Sequence, residues 1–336
     1  MEKLTQREKE SIQIVGGFAH PELTQDIAQS IGTEVSAIKE KIHPNGEIYS
    51  RFIESVRGKH VFIVQPHIRT PETSVSDAIM QQCLLVDAAR SSSASEITVV
   101  APYLGYMRQD RKTKGREPIS TRVVLDQLAS AGADRIVTVD IHSPQAQAIF
   151  RGPFDHLTAQ PALRDAMADE IAGINREDCL IVAPDAGAAK MSELHQEDLQ
   201  TSMIVMSKRR DPQDSQKISR NDHFPDAEGK HCLLFDDMID TAGTLVSAAE
   251  ALKSSGALSV RVAATHGILS DPAIERLQSA PIDKVLVTDT FTTHRAEREL
   301  GDKLRVVRVA PIIGSAILEI LRDGSVSKLF HDQNHR

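Results

Sequence analysis

The sequence predicts an α/β protein with mainly parallel sheets, divided into two domains. Three observations carry this. Short apolar runs such as VFIV at 61–64 and CLLF at 232–235 read as buried strands. Helix-patterned stretches alternate with them, and that alternation favours parallel sheets. The order strand, loop, helix, strand occurs at 61–101 and again at 231–265, a diverged internal duplication at the level of fold. The 336 residues suffice for two domains of ordinary size.

Taken in order, residues 12–15 form a short strand followed by Gly16-Gly17, and 21–30 a helix with Leu23, Ile27 and Ile31 on one face. A second short strand at 34–42 leads to His43-Pro44-Asn45-Gly46-Glu47. Asn45-Gly46 signals a hairpin, with 48–56 returning. After the strand at 61–64 come a polar loop to 73, a helix over about 74–90 and a strand at 97–101. Further helices are expected at 123–130, 163–172 and 190–199, with strands at 136–139, 180–183 and 203–206. Strands at 260–264, 284–287 and 306–309 follow the acidic segment described below, and 312–330 is a helix with a short tail. Polar, chemically active segments repeatedly follow strand C-termini, where an open α/β sheet places its ligands.

The composition, 40% hydrophobic and 26% charged, is that of a soluble globular chain. Aromatics make up 4% and there is no Trp, so the cores should be aliphatic. A net charge of −8 argues against a general nucleic-acid binder but leaves room for a local basic phosphate pocket. Cys83, Cys179 and Cys232 lie far apart without metal-ligand spacing, which fits reduced core thiols in a cytoplasm. The start, MEKLTQREKES, has no signal-peptide pattern, and no apolar run approaches the ~18 residues of a membrane helix.

The stretch HCLLFDDMIDTAGT at 231–244 reads as a buried strand, then a tight loop holding Asp236, Asp237, Asp240, Thr241, Ala242, Gly243 and Thr244, then an Ala- and Leu-rich helix. Small residues let backbone N–H groups approach a ligand, and a helix N-terminus favours phosphate. The threonines add hydroxyl donors, and the paired acids suit ribose hydroxyls or a magnesium-bound ligand. A sugar phosphate fits both halves of the loop; the alternative is an acidic turn with a capping Thr. The first copy of the duplication lacks these residues, so only the second half should hold the sugar phosphate.

Four other segments carry chemistry. The run YLGYMRQDRKTKGREPIS at 103–120 is dense in bases (Arg108, Arg111, Lys112, Lys114, Arg116) and suits a loop that encloses a triphosphate; a solvated charged loop is the alternative. His142, close to Asp140, and Asp185 end two strands and suit a magnesium ion, although magnesium prefers oxygen; a lone His of this kind also serves structure. Asp185 with Gly187 forms a small-residue turn suited to a diphosphate. Lys208-Arg209-Arg210 ends a strand with no use in a core and suits a transferring phosphoryl group, or a basic surface.

The loop at 236–244 resembles the ribose-phosphate signature of the type I phosphoribosyltransferase fold. Over nearly its whole length the chain resembles the ribose-phosphate diphosphokinases, the synthases of phosphoribosyl diphosphate (PRPP). The carrying motifs, in the family's order, are RQDRKTKGREPIS from Arg108, VTVDIHSPQAQ from Val137, DHLTAQP from Asp155, SKRR from Ser207, DDMIDTAGT from Asp236 and SVSKLF from Ser325. The resemblance implies two tandem type I phosphoribosyltransferase-like domains: residues 1–154, completed by 311–336, and residues 155–310 carrying the ribose 5-phosphate loop.

It further implies transfer of the diphosphate of ATP to O1 of ribose 5-phosphate, with AMP released, in a cytoplasmic homo-oligomer based on dimers or built as a hexamer. Arg108 and Gln109 would hold ATP, with Asn45, Gly46 and Glu47 reaching in from a neighbouring subunit. His142 and Asp185 would hold Mg2+, and Asp236, Asp237 and Asp240 through Thr244 ribose 5-phosphate. Lys208 would be the catalytic lysine with Arg210 beside it, and Lys112, Lys114 and Arg116 would belong to a closing loop. The chain departs from the family pattern at His43 and Asn45, where an aromatic residue and an aspartate are usual, and at Ala186 and Ala188.

Two other functions compete with this one. A non-catalytic paralogue, acting as a regulatory or interaction subunit, tends to be altered in the basic loop, whereas Lys112–Pro118 keeps its bases here. A transferase that consumes PRPP would leave the first domain and that loop unused. Neither nucleic acid nor membrane is an expected partner.

Overall fold

In the computed structural model, the described residues are 2–185, 187–206 and 223–330. The chain divides into two compact units. One takes the chain up to Ala159 and again from Val309; the other is Gln160–Arg308.

The first unit contains α1 (Gln6–Ser11), β1 (Ile12–Gly16), α2 (Pro21–Ile31), the strands β2 (Ile38–Ile42) and β3 (Ile48–Phe52), β4 (His60–Val64), α3 (Val75–Ser91), β5 (Glu96–Val100), α4 (Ser120–Ala131), β6 (Arg135–Val139) and β7 (Phe154–Leu157). Its described strands make a parallel sheet in the order β1-β4-β5-β6-β7, with β2 and β3 paired separately as an antiparallel hairpin. The turn at 43–47 closes with His43 N–H on the Glu47 carbonyl and Gly46 N–H on the His43 carbonyl, both at 2.8 Å. Gly46 has φ 90°, a left-handed conformation for which the Asn-Gly pair is suited.

The second unit contains α5 (Gln160–Glu170), β8 (Cys179–Ala183), α6 (Ala189–Leu199), β9 (Ser202–Val205), β10 (His231–Ile239), α7 (Gly243–Ser254), β11 (Ser259–Gly267), α8 (Ala273–Ser279), β12 (Lys284–Thr288), α9 (His294–Leu300) and β13 (Leu304–Val307). The sheet order is β13-β12-β11-β10-β8-β9, parallel at every pair. The chain then returns to the first unit as α10 (Ala310–Leu321). There an added Cβ at Gly314 would sit 2.3 Å from Ser30 Oγ, so glycine is what lets α10 lie close against α2.

Both sheets are buried on both faces. Along β4, Phe62 and Val64 join one apolar cluster while Val61 and Ile63 join another. Along β10, Cys232 and Leu234 face one cluster while Leu233 and Phe235 face the other. That alternation, with both faces apolar, is why these strands read as continuous hydrophobic runs. The internal duplication is visible in the topology. β1, β4, β5, β6 and β7 correspond in order to β8, β10, β11, β12 and β13, and the halves differ where β9 joins the sheet but β2 and β3 leave it as a hairpin.

The structure corrects several expectations. Asp236 and Asp237 are not in the loop: β10 continues to Ile239, because pairing to β11 continues beyond Phe235 with Asp236 opposite Ala264 and Met238 opposite His266. The units part at 159/160 and 308/309 rather than at 154/155 and 310/311, since β7 hydrogen-bonds to β6 and extends the first sheet. The strand expected over 34–42 starts only at Ile38. Helices α1, α8 and α9 have no counterpart in the sequence pattern; each is seven residues or fewer, too short for a periodic signal.

Candidate active site

In the second unit, β8 is followed by β9 on one side and β10 on the other, so the winding direction reverses between β8 and β10. Ligands of open α/β sheets bind outside the strand C-termini at such a reversal. The two segments leaving those strand ends are the turn at Asp185 and the loop from Asp240 to Ala242.

The second of these has the geometry of an anion cradle. Ala242 precedes α7 with φ 60°, left-handed and strained for a residue with a Cβ, and no side chain caps the helix. The capping Thr of the alternative reading is therefore absent, and the first-turn N–H groups have no side-chain cap. An added Cβ at Gly243 would meet Arg276 Nη1 at 3.5 Å and Thr241 Oγ1 at 4.0 Å, ordinary contact distances. Packing does not require glycine there, and its absent side chain leaves the backbone open to approach. Arg276 of α8 donates to the Thr241 carbonyl at 3.0 Å. Sequence reasoning missed this residue, and nothing local to ERLQ points to a loop 35 positions away.

Asp236, at the C-terminal end of β10, accepts the backbone N–H of Asp237 on Oδ1 at 2.9 Å. Burial raises its pKa well above the ordinary carboxylate range, and the charges of Asp237 and Asp185 raise it further. The fold thus brings Asp185 and Asp236, both singled out in the sequence, into one acidic neighbourhood. Such a group is relieved by hydroxyl donors or by a hard cation. Among the described residues no three His, Cys, Asp or Glu side chains are grouped to hold a metal by themselves. A cation here would take its remaining ligands from phosphate and water, the habit of magnesium. The carboxylates fit that ion.

The turn after β8 differs from expectation. Asp185 Oδ1 accepts the N–H of Gly187 at 2.9 Å and of Ala188 at 3.2 Å. Two of the donors expected to face a diphosphate are taken by Asp185, as the short carboxylate folds back on its own turn. Beneath this region His195 of α6 stacks on Phe235, centroids 3.7 Å apart, and meets Gln160 Oε1 at 2.9 Å. Lys208 and Arg210 lie outside the described residues.

In the first unit, Arg108 and Gln109 stand at the entrance of a loop whose base is pinched shut. Ser120 Oγ donates to Gln109 Oε1 at 2.6 Å and Thr121 Oγ1 to the Gln109 carbonyl at 3.2 Å. Residues 111–116, with Lys112, Lys114 and Arg116, are exposed. Glu117 accepts from Thr113 N–H at 2.8 Å, Thr113 Oγ1 at 2.9 Å and Lys114 N–H at 2.9 Å, which lowers its pKa. An acid within the basic run was the overlooked signal: it folds the tip and leaves the cations outward.

Ser143 Oγ lies 2.6 Å from Asp110 Oδ2, joining this loop to the segment of exposed His142. Arg108, Gln109 and His142 thus lie on loops after two neighbouring strands, β5 and β6. Asp140 has φ 38° and accepts the Ala159 N–H at 2.9 Å, so it serves the turn itself. Asn45 Oδ1 accepts the Glu47 N–H at 3.2 Å, which shapes the hairpin tip.

Comparison with known proteins decides the family. Residues 12–132 match the model for the N-terminal domain of ribose phosphate pyrophosphokinase, and residues 223–331 match that for the phosphoribosyl synthetase-associated domain. Ribose-phosphate pyrophosphokinase of Streptomyces avermitilis is 42% identical, across 94% of this chain and 95% of its own. That of Bifidobacterium longum is 43% identical, across 94% and 92%.

The chain belongs to the ribose-phosphate pyrophosphokinase family.

Among solved structures, the phosphoribosylpyrophosphate synthetase of Mycobacterium smegmatis superposes with a TM-score of 0.84 at 38% identity, covering 94% of this chain and 100% of that one. For a ribose-phosphate pyrophosphokinase, an anion cradle beside a carboxylate cluster in one unit and an exposed basic loop in the other are parts fit for phosphate chemistry. Among the described residues no helix is long and apolar enough to cross a membrane.

Proposed function

We propose that this protein transfers the diphosphate group of ATP to O1 of ribose 5-phosphate, giving 5-phosphoribosyl 1-diphosphate and AMP for nucleotide biosynthesis. The observation that carries the reading is the uncapped α7 N-terminus beside the raised carboxylate of Asp236. It offers donors for a phosphate at the helix start and acceptors for sugar hydroxyls on the strand before it, within a chain that matches pyrophosphokinases along 94% of its length. In this reading the N–H groups of Gly243 and Thr244, with the hydroxyls of Thr241 and Thr244, bind the 5-phosphate. Asp236, Asp237 and Asp240 accept ribose hydroxyls, which relieves the mutual repulsion present in the sugar-free protein.

Arg108 and Gln109 bind ATP, joined by Asn45, Gly46 and Glu47 of a neighbouring subunit in a cytoplasmic homo-oligomer. The O1 hydroxyl oxygen attacks the β-phosphorus in line with the bridge to the α-phosphate. The new O–P bond forms, the bridging bond breaks toward AMP, and the hydroxyl proton leaves to solvent. Lys208, Arg210, Lys112 and Arg116 neutralise charge on the transferring group and the leaving oxygen. Asp185 and His142 would hold Mg2+, which when bound neutralises phosphate oxygens. For this chain's residues, catalysis consists of orientation, charge neutralisation and exclusion of water by the basic loop.

The test is incubation of the protein with Mg2+, ribose 5-phosphate and ATP while AMP and PRPP are followed. Equal appearance of both is expected. Failure to form either with ATP or any other nucleoside triphosphate would overturn the reading in favour of a non-catalytic subunit.

A further inference from the structure

The first unit contains a polar cluster in its interior that the reaction itself does not use. Gln65, His67, Gln81 and Gln82 are all fully buried. Buried amides are retained at a cost unless every donor and acceptor is matched. Gln81 of α3 spends both ends. Its oxygen accepts the Phe18 N–H at 2.9 Å and Gln65 Nε2 at 2.8 Å. Its nitrogen donates to Glu40 Oε2 at 2.7 Å and reaches Ser50 Oγ at 3.5 Å. Glu40 and Ser50 are paired opposite each other across the β2–β3 hairpin, so one amide grips both strands of the element whose tip carries Asn45 and Glu47.

The next residue faces other partners. Gln82 Nε2 donates to the Ile63 carbonyl at 2.9 Å and its oxygen meets His67 Nε2 at 2.7 Å. His67 Nδ1 accepts the Gly105 N–H at 3.1 Å, which fixes the tautomer with the proton on Nε2, pointing to Gln82. Burial keeps this imidazole neutral, its pKa pushed down to about 4. Gly105 lies three residues before Arg108.

Two glycines leave the room. A Cβ on Gly17 would fall 2.4 Å from Gln65 Oε1 and 2.5 Å from Gln81 Oε1, and one on Gly105 would fall 2.9 Å from His67 Cβ.

We propose that Gln81 and Gln82 are positioning residues for nucleotide: one helix, through adjacent amides, seats the hairpin that carries Asn45–Glu47 and, through His67, the segment that carries Arg108 and Gln109. The inference rests on the nucleotide-binding reading of those two segments. It adds that their geometry is set from one rigid helix, so the hairpin offered to a neighbour and the loop serving the subunit's own nucleotide are held by a common support.

The test cuts each tie. Glu40 is exposed, so Glu40→Ala removes the shorter of the two ties between the hairpin and Gln81 without opening the core, and Glu40→Gln keeps an acceptor for the Gln81 amide. Glu40→Ala should raise the KM for ATP about tenfold, with kcat and the KM for ribose 5-phosphate unchanged. Amide hydrogen exchange should quicken across β2–β3, and Glu40→Gln should restore both readouts. His67→Phe should quicken exchange at residues 105–109 and raise the KM for ATP likewise. An unaltered ATP KM in Glu40→Ala, or no recovery in Glu40→Gln, would overturn the proposal. If the unmutated protein makes no AMP and PRPP, the nucleotide reading itself fails. Exchange then still decides whether the two amides seat the segments, since unchanged protection in both variants rejects the support.

Discussion

Arg276 donates from Nη1 to the backbone carbonyl of Thr241 at 3.0 Å, so a side chain of α8 fixes the loop between the strand bearing Asp236 and the helix that opens at Gly243. Arg276→Ala should leave that loop free to turn its carbonyl. We expect the KM for ribose 5-phosphate to rise about fivefold with the KM for ATP unchanged, the loss of one charge-assisted hydrogen bond in a partly exposed site. Steady-state kinetics with each substrate varied in turn checks it.

Gly243→Ala separates fold from function in the same loop. The added methyl meets only ordinary contacts at 3.5 Å and beyond. Thermal stability should hold or gain up to about 1 kcal/mol, as expected for Gly to Ala at a helical residue. Ribose 5-phosphate binding, read by calorimetry, should weaken at least about tenfold, because the methyl occupies the approach to the N–H groups.

Asp236→Asn should stabilise the sugar-free protein while removing activity. The raised pKa means the folded state resists ionising this carboxyl. Its contribution to stability is therefore full below the ordinary carboxylate range and is lost as pH rises through the raised value. The melting temperature of Asp236→Asn should match that of the parent near pH 4 and exceed it at pH 8, a gain of about 2 kcal/mol after allowance for screening.

Two buried imidazoles work in the opposite direction. Burial pushes His67 down to about 4 and His195 down to about 3. Both are neutral in the fold and take up a proton on unfolding below the ordinary histidine value. Their stabilising contribution is present above pH 6.5 and falls as pH drops toward these values, by about 1.4 kcal/mol per pH unit for each. Denaturant titrations at pH 7 and pH 5 should register the loss, and His195→Leu should remove about one proton's worth of that slope.

The exposed loop at 111–116 gives a kinetic prediction. Lys112→Ala should lower kcat about a hundredfold with little change in either KM, as for a charge that acts only on the transferring group. Glu117→Ala unties Thr113 and Lys114 and should lower kcat by a smaller factor. Equal losses of substrate affinity in both variants would assign the loop to binding instead.

Much of the fold was legible because it is written in local pattern. VFIV and CLLF gave β4 and β10, and Asn45-Gly46 gave the hairpin turn. Pro21 and Gly32 bracket α2 as a helix start and stop should. Illegible were the short helices and the last residues of β10, where pairing to β11 overrides the acidic, turn-like look of Asp236-Asp237. The site was legible as a collection of parts. Asp236, Gly243, Arg108 and Lys112 stand out by type and spacing, whereas Glu117 was hidden inside a basic run and Arg276 inside an ordinary helix.

By itself, then, the sequence determined which described segments are rich in acids, bases and small residues and that they follow the C-terminal ends of parallel strands, because residue type and strand periodicity act over a few positions. Only the tertiary structure decided how those segments behave. It buried Asp236 in the company of Asp237 and Asp185, turned the Gly187 and Ala188 N–H groups onto Asp185, and put Gln81 against both strands of a hairpin, 41 and 31 residues earlier. Charge and hydrogen bonding depend on burial and on neighbours distant in the chain, and those are fixed by packing rather than by adjacency.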